Sequence, residues 1–453
     1  MVPLKVNGLG AWRRFVRAGG RGVHYLRAGE GPPVVLLHAA MSSGREMLPL
    51  VQRLAPQHTV FAFDLPGFGD TDPLPKRNSV VADAAEALNT TLVVLRMPPC
   101  PVYGSHTGGT VALELARLHP ERVSALIMDG ITVFGPRETR YLLSDEYLPP
   151  FSVKDDGSHL FSNWVKARDY WIWFPWNKRT SSNRLPSPFP SLEHVHNMFL
   201  DILRAGDAYR AVYGAVFKLD VRKAVAALRV PATFMADSHD VLFSHLDRLP
   251  KLRSNQRIVR SRPGGIDYLD RVASVIRSYC ADVEPPAESH FRPTPNAINR
   301  RYIDLRHLQI LVRSAGEAHR GRPILLLHDG RSSSRMFEPL MRKLARRLPV
   351  YAPDIPDNGA SDSLRTSRPQ IRDYANAISD TLRALRLGSC DVYAIGAAAA
   401  TALAYCPAQH FGSRAHCWSH RISIHLLSPD AFGALGYRRL RWTGLAPISI
   451  GFG

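Results

Sequence analysis

The chain has 453 residues, 45% of them hydrophobic, and a formal net charge of +19 from 58 Lys and Arg against 39 Asp and Glu. That length and apolar content exclude a disordered or low-complexity chain and predict two or three domains with an ample core. The positive charge is scattered and mostly Arg, with no interleaved aromatic stripe and no recognisable binding motif, so no nucleic-acid partner is expected.

Five cysteines, Cys100, Cys280, Cys390, Cys406 and Cys417, form no C-x-x-C pair and no metal-ligand spacing with His, which fits a reducing compartment and calls for neither metal nor cofactor. The N-terminal stretch lacks an apolar signal core, and the longest apolar run, Val392 to Ala404, is too short to span a bilayer. A cytoplasmic protein without membrane contact is expected.

Arg14 to Arg27 reads as two strands around a turn at Gly19 and Gly20, a hairpin suited to a sheet edge. In PPVVLLHAAMSSG, the run Val34 to Leu37 is that of a strand buried on both faces, ending at His38. Arg45 to Leu54 follows as an amphipathic helix, and HTVFAFDLPGFGDTD gives a second buried strand ending in a Gly-rich turn. The alternation predicts an α/β fold, a parallel sheet with crossover helices.

Val102 to Ala116, VYGSHTGGTVALELA, reads as a strand end, a sharp turn and a helix. Such a turn needs Gly two places on either side of its apex, where a Cβ would strike neighbouring backbone. Gly104 and Gly108 flank His106 at that spacing; centring the turn on Ser105 would put Tyr103 and Thr107 where glycines are needed. The stretch resembles the G-x-S-x-G nucleophile elbow of the α/β-hydrolase superfamily, with His in place of Ser. His38-Ala39 resembles that superfamily's His-Gly sign, Asp64 to Thr71 its D-x-P-G-x-G-x-[ST] turn, and His119 to Gly130 the strand after the elbow helix. The resemblance covers most of the first 280 residues. It implies an α/β-hydrolase domain over 1–285 and a helical cap over about 141–222.

The cap segment crowds Trp164, Trp171, Trp173 and Trp176 together, which suits cap core first and substrate contact second. His194 and His196, two residues apart, fall on different helix faces and make a poor metal pair. After the strand in RVPATFMADSHDVLF, Asp240 takes the place of the triad acid that the resemblance implies. The strand Gln256 to Arg260 then leads through SRPGGIDYLD into a helix from Tyr268 to Tyr279, and the catalytic His of that superfamily is absent from the turn.

A Pro-rich segment, 286–299, reads as a linker. Beyond it the chain begins again: His328 lies 290 residues after His38 (328 − 38), and the same offset relates Ser42 to Ser332, Asp64 to Asp354, Gly69 to Gly359 and Tyr103 to Tyr393. This is expected to be an internal repeat, a truncated second half-domain over 300–406 that docks on the first or stays poorly ordered. Its elbow is lost, with Ala394, Gly396 and Ala398 at the positions of Gly104, His106 and Gly108. Residues 407–453 read as an irregular tail, disordered or frame-shifted.

An acyl-transfer site of this fold needs a nucleophile, a base, an orienting acid and N–H donors for the oxyanion. The resemblance implies Thr107 and Ala39 as oxyanion donors and Asp240 as the acid. His106 is expected to act as general base near neutral pH, or as nucleophile, with Asp240 or Asp129 as partner. His38, Trp164 and Trp171 complete the candidate substrate contacts, though His38 more simply satisfies nearby backbone. Three readings stay open: a hydrolase of a small, largely apolar ester or related carbonyl compound, a non-catalytic receptor using the same hollow, and, third, a decayed fusion with no selected activity.

Overall fold

The computed structural model describes residues 5–6, 9–75, 79–261, 267–288, 291–388, 390–405 and 424–426. A two-stranded ladder, β1 (Lys5–Val6) and β2 (Leu9–Gly10), precedes the first large sheet. That sheet comprises β3 (Trp12–Ala18), β4 (Arg21–Ala28), β5 (Pro33–Leu37), β6 (Thr59–Phe63), β7 (Cys100–Ser105), β8 (Val123–Asp129), β9 (Ala232–Asp237) and β10 (Gln256–Ser261), in the order β10-β9-β8-β7-β5-β6-β4-β3. Pairing from β10 to β6 is parallel, and only β4 runs against it, pairing antiparallel with both β6 and β3.

The unbroken apolar runs of β5 and β6, buried at every position, show why this sheet needs cover on both faces. On one face α1 (Leu48–Leu54) and α9 (Tyr268–Arg277) bury Leu50, Val51, Leu54, Val272, Ala273 and Ile276. On the other, α2 (Val81–Val94) and α3 (Thr107–Leu118) pack against Val35, Leu37, Val102 and Met128. The segment expected as one helix from Arg45 to Leu54 is a 3-10 turn, Gly44–Met47, followed by α1, because Pro49 fits only a helix's first turn.

Between β8 and β9 lies a helical insertion: α4 (Pro136–Leu142), α5 (Ser158–Asp169), α6 (Leu192–Ala205), α7 (Arg210–Val216) and α8 (Val221–Ala227). Ser191 caps α6 by accepting the His194 N–H, and Ser43 Oγ ties the loop after β5 to α6 by donating to Asp201 at 2.8 Å.

A second sheet follows Pro285 and Pro286. It holds β11 (Asn299–Asp304), β12 (Gln309–Ala315), β13 (Ile324–Leu327), β14 (Val350–Pro353), β15 (Asp391–Ala394) and β16 (Ile424–Leu426), in the order β11-β12-β14-β13-β15-β16. Read from β11, this is the order of the first sheet read from β3. It carries α10 (Glu338–Leu344), α11 (Ile371–Ala384) and α12 (Ala398–Tyr405). This unit docks through its β11 side on β3. The Arg13 guanidinium, buried, meets Asp362 at 2.5 Å, and Arg300 meets Asp72 at 2.7 Å. The expected tail lies outside the described residues, save Ile424–Leu426.

Among the described residues no helix is long and apolar enough to cross a membrane, and no His, Cys, Asp or Glu cluster is placed to hold a metal ion.

Candidate functional site

The turn between β7 and α3 has the shape its glycines require. A Cβ on Gly104 would strike the Gly108 carbonyl and the Gly109 nitrogen, and one on Gly108 would approach Leu37 O to 2.5 Å and His38 O to 2.6 Å. His106 sits at the apex with φ +48°, a conformation costly for any residue with a side chain. Its N–H donates to Asp129 O at 2.7 Å, holding the bend against the end of β8.

The imidazole lies across Gly130, where a Cβ would collide with Cδ2 and Nε2, and points to the loop after β9. There Nε2 meets Asp240 Oδ2 at 2.7 Å, while Asp240 Oδ1 accepts the Leu242 N–H at 2.6 Å. Burial disfavours the imidazolium, but the charge and hydrogen bond of Asp240, helped by Asp129 and Glu46, outweigh it and lift the His106 pKa to about 9. Burial likewise works against the Asp240 carboxylate, and the His106 charge overcomes it and holds its pKa below the usual value. A pKa raised to about 9 favours the protonated ring near neutral pH, and Nε2 is the nitrogen that meets Asp240.

Asp129 does not reach the ring as a partner. Its carboxylate accepts Tyr103 Oη at 2.8 Å and Tyr268 Oη at 2.5 Å. Burial, with Asp240 nearby, pushes its pKa up to about 6 against the pull of the two hydroxyls.

These groups line a cavity of about 830 Å³, whose walls include Ala39, Glu46, His106, Tyr170, Trp171 and Phe174. Trp171 belongs to it and presents its edge to His194 at 4.9 Å. Trp164 does not; it packs edge-on to Phe199 at 5.6 Å between α5 and α6. His38 is fully buried and bonded to backbone at both ring nitrogens, Nδ1 to Ala39 O at 2.6 Å and Nε2 to the Leu65 N–H at 3.0 Å. It is a bracket between two loops and is not among the residues that line this cavity. Thr107, buried at the first position of α3, offers one of the N–H groups that a helix start leaves without an intrahelical partner.

The Ala39 N–H is already taken. It donates to Glu46 Oε2 at 3.1 Å, and burial pushes the Glu46 pKa up to about 7 against Ser42, His106 and the Ala39 N–H. Glu46, Gly130 and Tyr268 were not legible as site residues. They come from the loop after β5, the end of β8 and the start of α9, and only sheet order brings them together.

The fold and the glycine-flanked bend converge on one family. A family model for the alpha/beta hydrolase fold matches residues 32–265, and the chain belongs to the α/β-hydrolase fold family. Among curated proteins it is 35% identical over 129 residues to a 2-hydroxy-6-oxo-6-(2'-aminophenyl)hexa-2,4-dienoic acid hydrolase of Metapseudomonas resinovorans, covering 26% of this chain and 41% of that protein. It is 31% identical over 156 residues to a putative 2-succinyl-6-hydroxy-2,4-cyclohexadiene-1-carboxylate synthase of Bacillus subtilis, covering 32% of this chain and 55% of that one. The chain thus spans about half the length of these relatives. A pimeloyl-[acyl-carrier protein] methyl ester esterase of Xanthomonas campestris is 28% identical over 226 residues, 47% of this chain and 79% of that protein. Among solved structures, an epoxide hydrolase from Vigna radiata covers 61% of this chain and 99% of its own, at 19% identity and TM-score 0.46.

Proposed function

We propose that the chain is a hydrolase of a small ester or related carbonyl compound, bound in a hollow capped by the insertion helices, with His106 standing at the nucleophile position. The observation that carries this reading is the 2.7 Å bond from His106 Nε2 to Asp240. The pair holds an imidazolium at the bend, and its Nδ1–H polarises the substrate carbonyl and stabilises charge developing on that oxygen. The aromatic wall of Tyr170, Trp171 and Phe174 suits a largely apolar substrate. The test is turnover of a panel of short acyl esters and lactones by wild type and His106→Ala. Loss to background in the variant is expected; equal rates above background in both would remove His106 from the chemistry.

A second reading, a receptor that binds a small molecule without turning it over, is favoured by one observation: the Ala39 N–H is occupied by Glu46 rather than left for an oxyanion. A ligand recovered intact from the hollow, with no product across the panel, would support it.

We also read the second unit as a truncated copy of the first. Support comes from element bounds displaced by 290 residues (338 − 48 for α10 against α1, 371 − 81 for α11 against α2). Further support comes from matched loop bonds: His328 Nε2 accepts the Ile355 N–H at 2.9 Å, as His38 Nε2 accepts that of Leu65. At its lost elbow, Ala397 N–H donates to Asp329 Oδ1 at 2.8 Å, and a Cβ on Gly396 would collide with that carboxylate.

A further inference from the structure

We infer that Glu46, and not the elbow histidine, is the general base that takes a proton from the attacking water, an assignment that rests on the hydrolase reading above and deepens it. The geometry isolates Glu46 among the carboxyls of the cavity. Asp240 is committed to His106, Asp129 to the hydroxyls of Tyr103 and Tyr268, Asp362 to Arg13, and Asp201 to Ser43 and Arg204; Glu193 is exposed. Glu46 is held by the Ala39 N–H and the Ser42 hydroxyl, which fix its direction without neutralising it.

Its setting supports the role. The charged and titratable groups that act on it come from several elements: His106 at the elbow, Asp201 from α6, Tyr103 from β7 and Tyr170 after α5. Burial dominates and brings it to about 7, while Asp240 holds His106 near 9. Between those values Glu46 favours the carboxylate and His106 the imidazolium, a base and an acid on the wall of one cavity. Two groups whose environments push them apart in this way divide the roles between them.

The step balances. Water gives a proton to Glu46 as its oxygen bonds to the carbonyl carbon, and the C=O electron pair moves onto oxygen, held by His106 Nδ1–H. Collapse of the tetrahedral species breaks the bond to the leaving oxygen, which takes the proton back from Glu46, releasing acid and alcohol. The carboxyl that closed the backbone oxyanion site has thus become the base, and the residue at the nucleophile position stabilises the oxyanion.

The test uses the full chain, with Glu46→Gln and Glu46→Asp compared with wild type on the same ester and lactone panel. We expect Glu46→Gln to lower kcat by about 10²- to 10⁴-fold, the usual weight of a general base, with KM little changed. The activity limb that rises through about pH 7 should disappear, and Glu46→Asp should restore part of kcat together with that limb. Circular dichroism of each variant excludes unfolding as the cause. Wild-type turnover with an unaltered kcat and pH profile in Glu46→Gln would overturn the inference alone. A faster Glu46→Gln would also overturn it, by making Glu46 a plug of the Ala39 N–H. No wild-type turnover on any substrate would overturn the hydrolase reading and this inference with it.

Discussion

Phe15 and Tyr302 stack face to face where the two sheets meet, with ring centroids 5.7 Å apart and planes 12° from parallel. The contacts on either side of the stack are reciprocal. The Arg13 guanidinium lies 4.4 Å over Tyr302 and that of Arg300 lies 4.6 Å over Phe15, while Arg13 pairs with Asp362 and Arg300 with Asp72. Phe15 and Tyr302, like Arg13 and Arg300, are 287 residues apart (302 − 15, 300 − 13), and the two acids are 290 apart (362 − 72). Reciprocity of this kind, i to j and j to i, belongs to two-fold-related surfaces, here within one chain.

The reciprocity is chemical and not energetic. The side chains of Arg13 and Asp362 are only 5% and 7% exposed, whereas those of Arg300 and Asp72 are 19% and 41% exposed. Asp362→Asn strands a buried guanidinium and should destabilise the docked second unit by about 3–5 kcal/mol. Asp72→Asn, removing a screened pair, should cost less than about 1 kcal/mol. Urea unfolding followed separately for each variant checks the difference; equal losses would contradict it.

Gly130→Ala should mimic loss of His106. The added Cβ collides with the imidazole, and the residue's φ of +72° adds backbone strain of about 1–2 kcal/mol. Ester turnover should fall to the level of His106→Ala while the variant remains folded, measured by kcat alongside thermal unfolding.

The His106–Asp240 bond should make stability depend on pH with a definite sign. The folded pKa of about 9 lies above the ordinary value of 6.5, so the stabilisation is fully present below about pH 6.5 and is lost as pH rises through about 9. The difference in unfolding free energy between wild type and His106→Gln should shrink over that window. A difference that grew with pH would contradict the assignment.

Tyr268→Phe removes one of the two hydroxyls that hold the buried Asp129 carboxylate. The loss should be about 1.5–3 kcal/mol at pH 8, as for a hydrogen bond to a charged group. It should diminish below about pH 6, where Asp129 takes up a proton. Thermal unfolding at the two pH values measures it.

Much of this molecule could be read from residue order alone, and the reason differs from place to place. The buried strands β5 and β6 were legible because a parallel strand covered on both faces is apolar at every position. The bend at His106 was legible because two close backbone approaches leave no room for a Cβ, and Asp240 proved to be its partner at 2.7 Å. The protonation of that histidine was not, since it depends on how far burial and three carboxyls oppose one another in space. Glu46 was hidden for the same reason: eight residues after His38, it resembles any acid in a helix's first turn until the Ala39 N–H is seen to hold it. Trp164 and Trp171 were indistinguishable as letters; Trp164 falls within α5 and packs against α6, whereas Trp171 falls in the turn after α5 and lines the hollow.

The docking of β11 beside β3 has a further consequence for the chain's behaviour in a crowded cell. Each is the outermost strand of its own sheet, the kind of border that invites pairing with strangers. By setting these two borders against each other, with Gln309 reaching across to accept the Arg13 N–H at 3.0 Å, the protein shields one vulnerable margin of each sheet from self-templated aggregation.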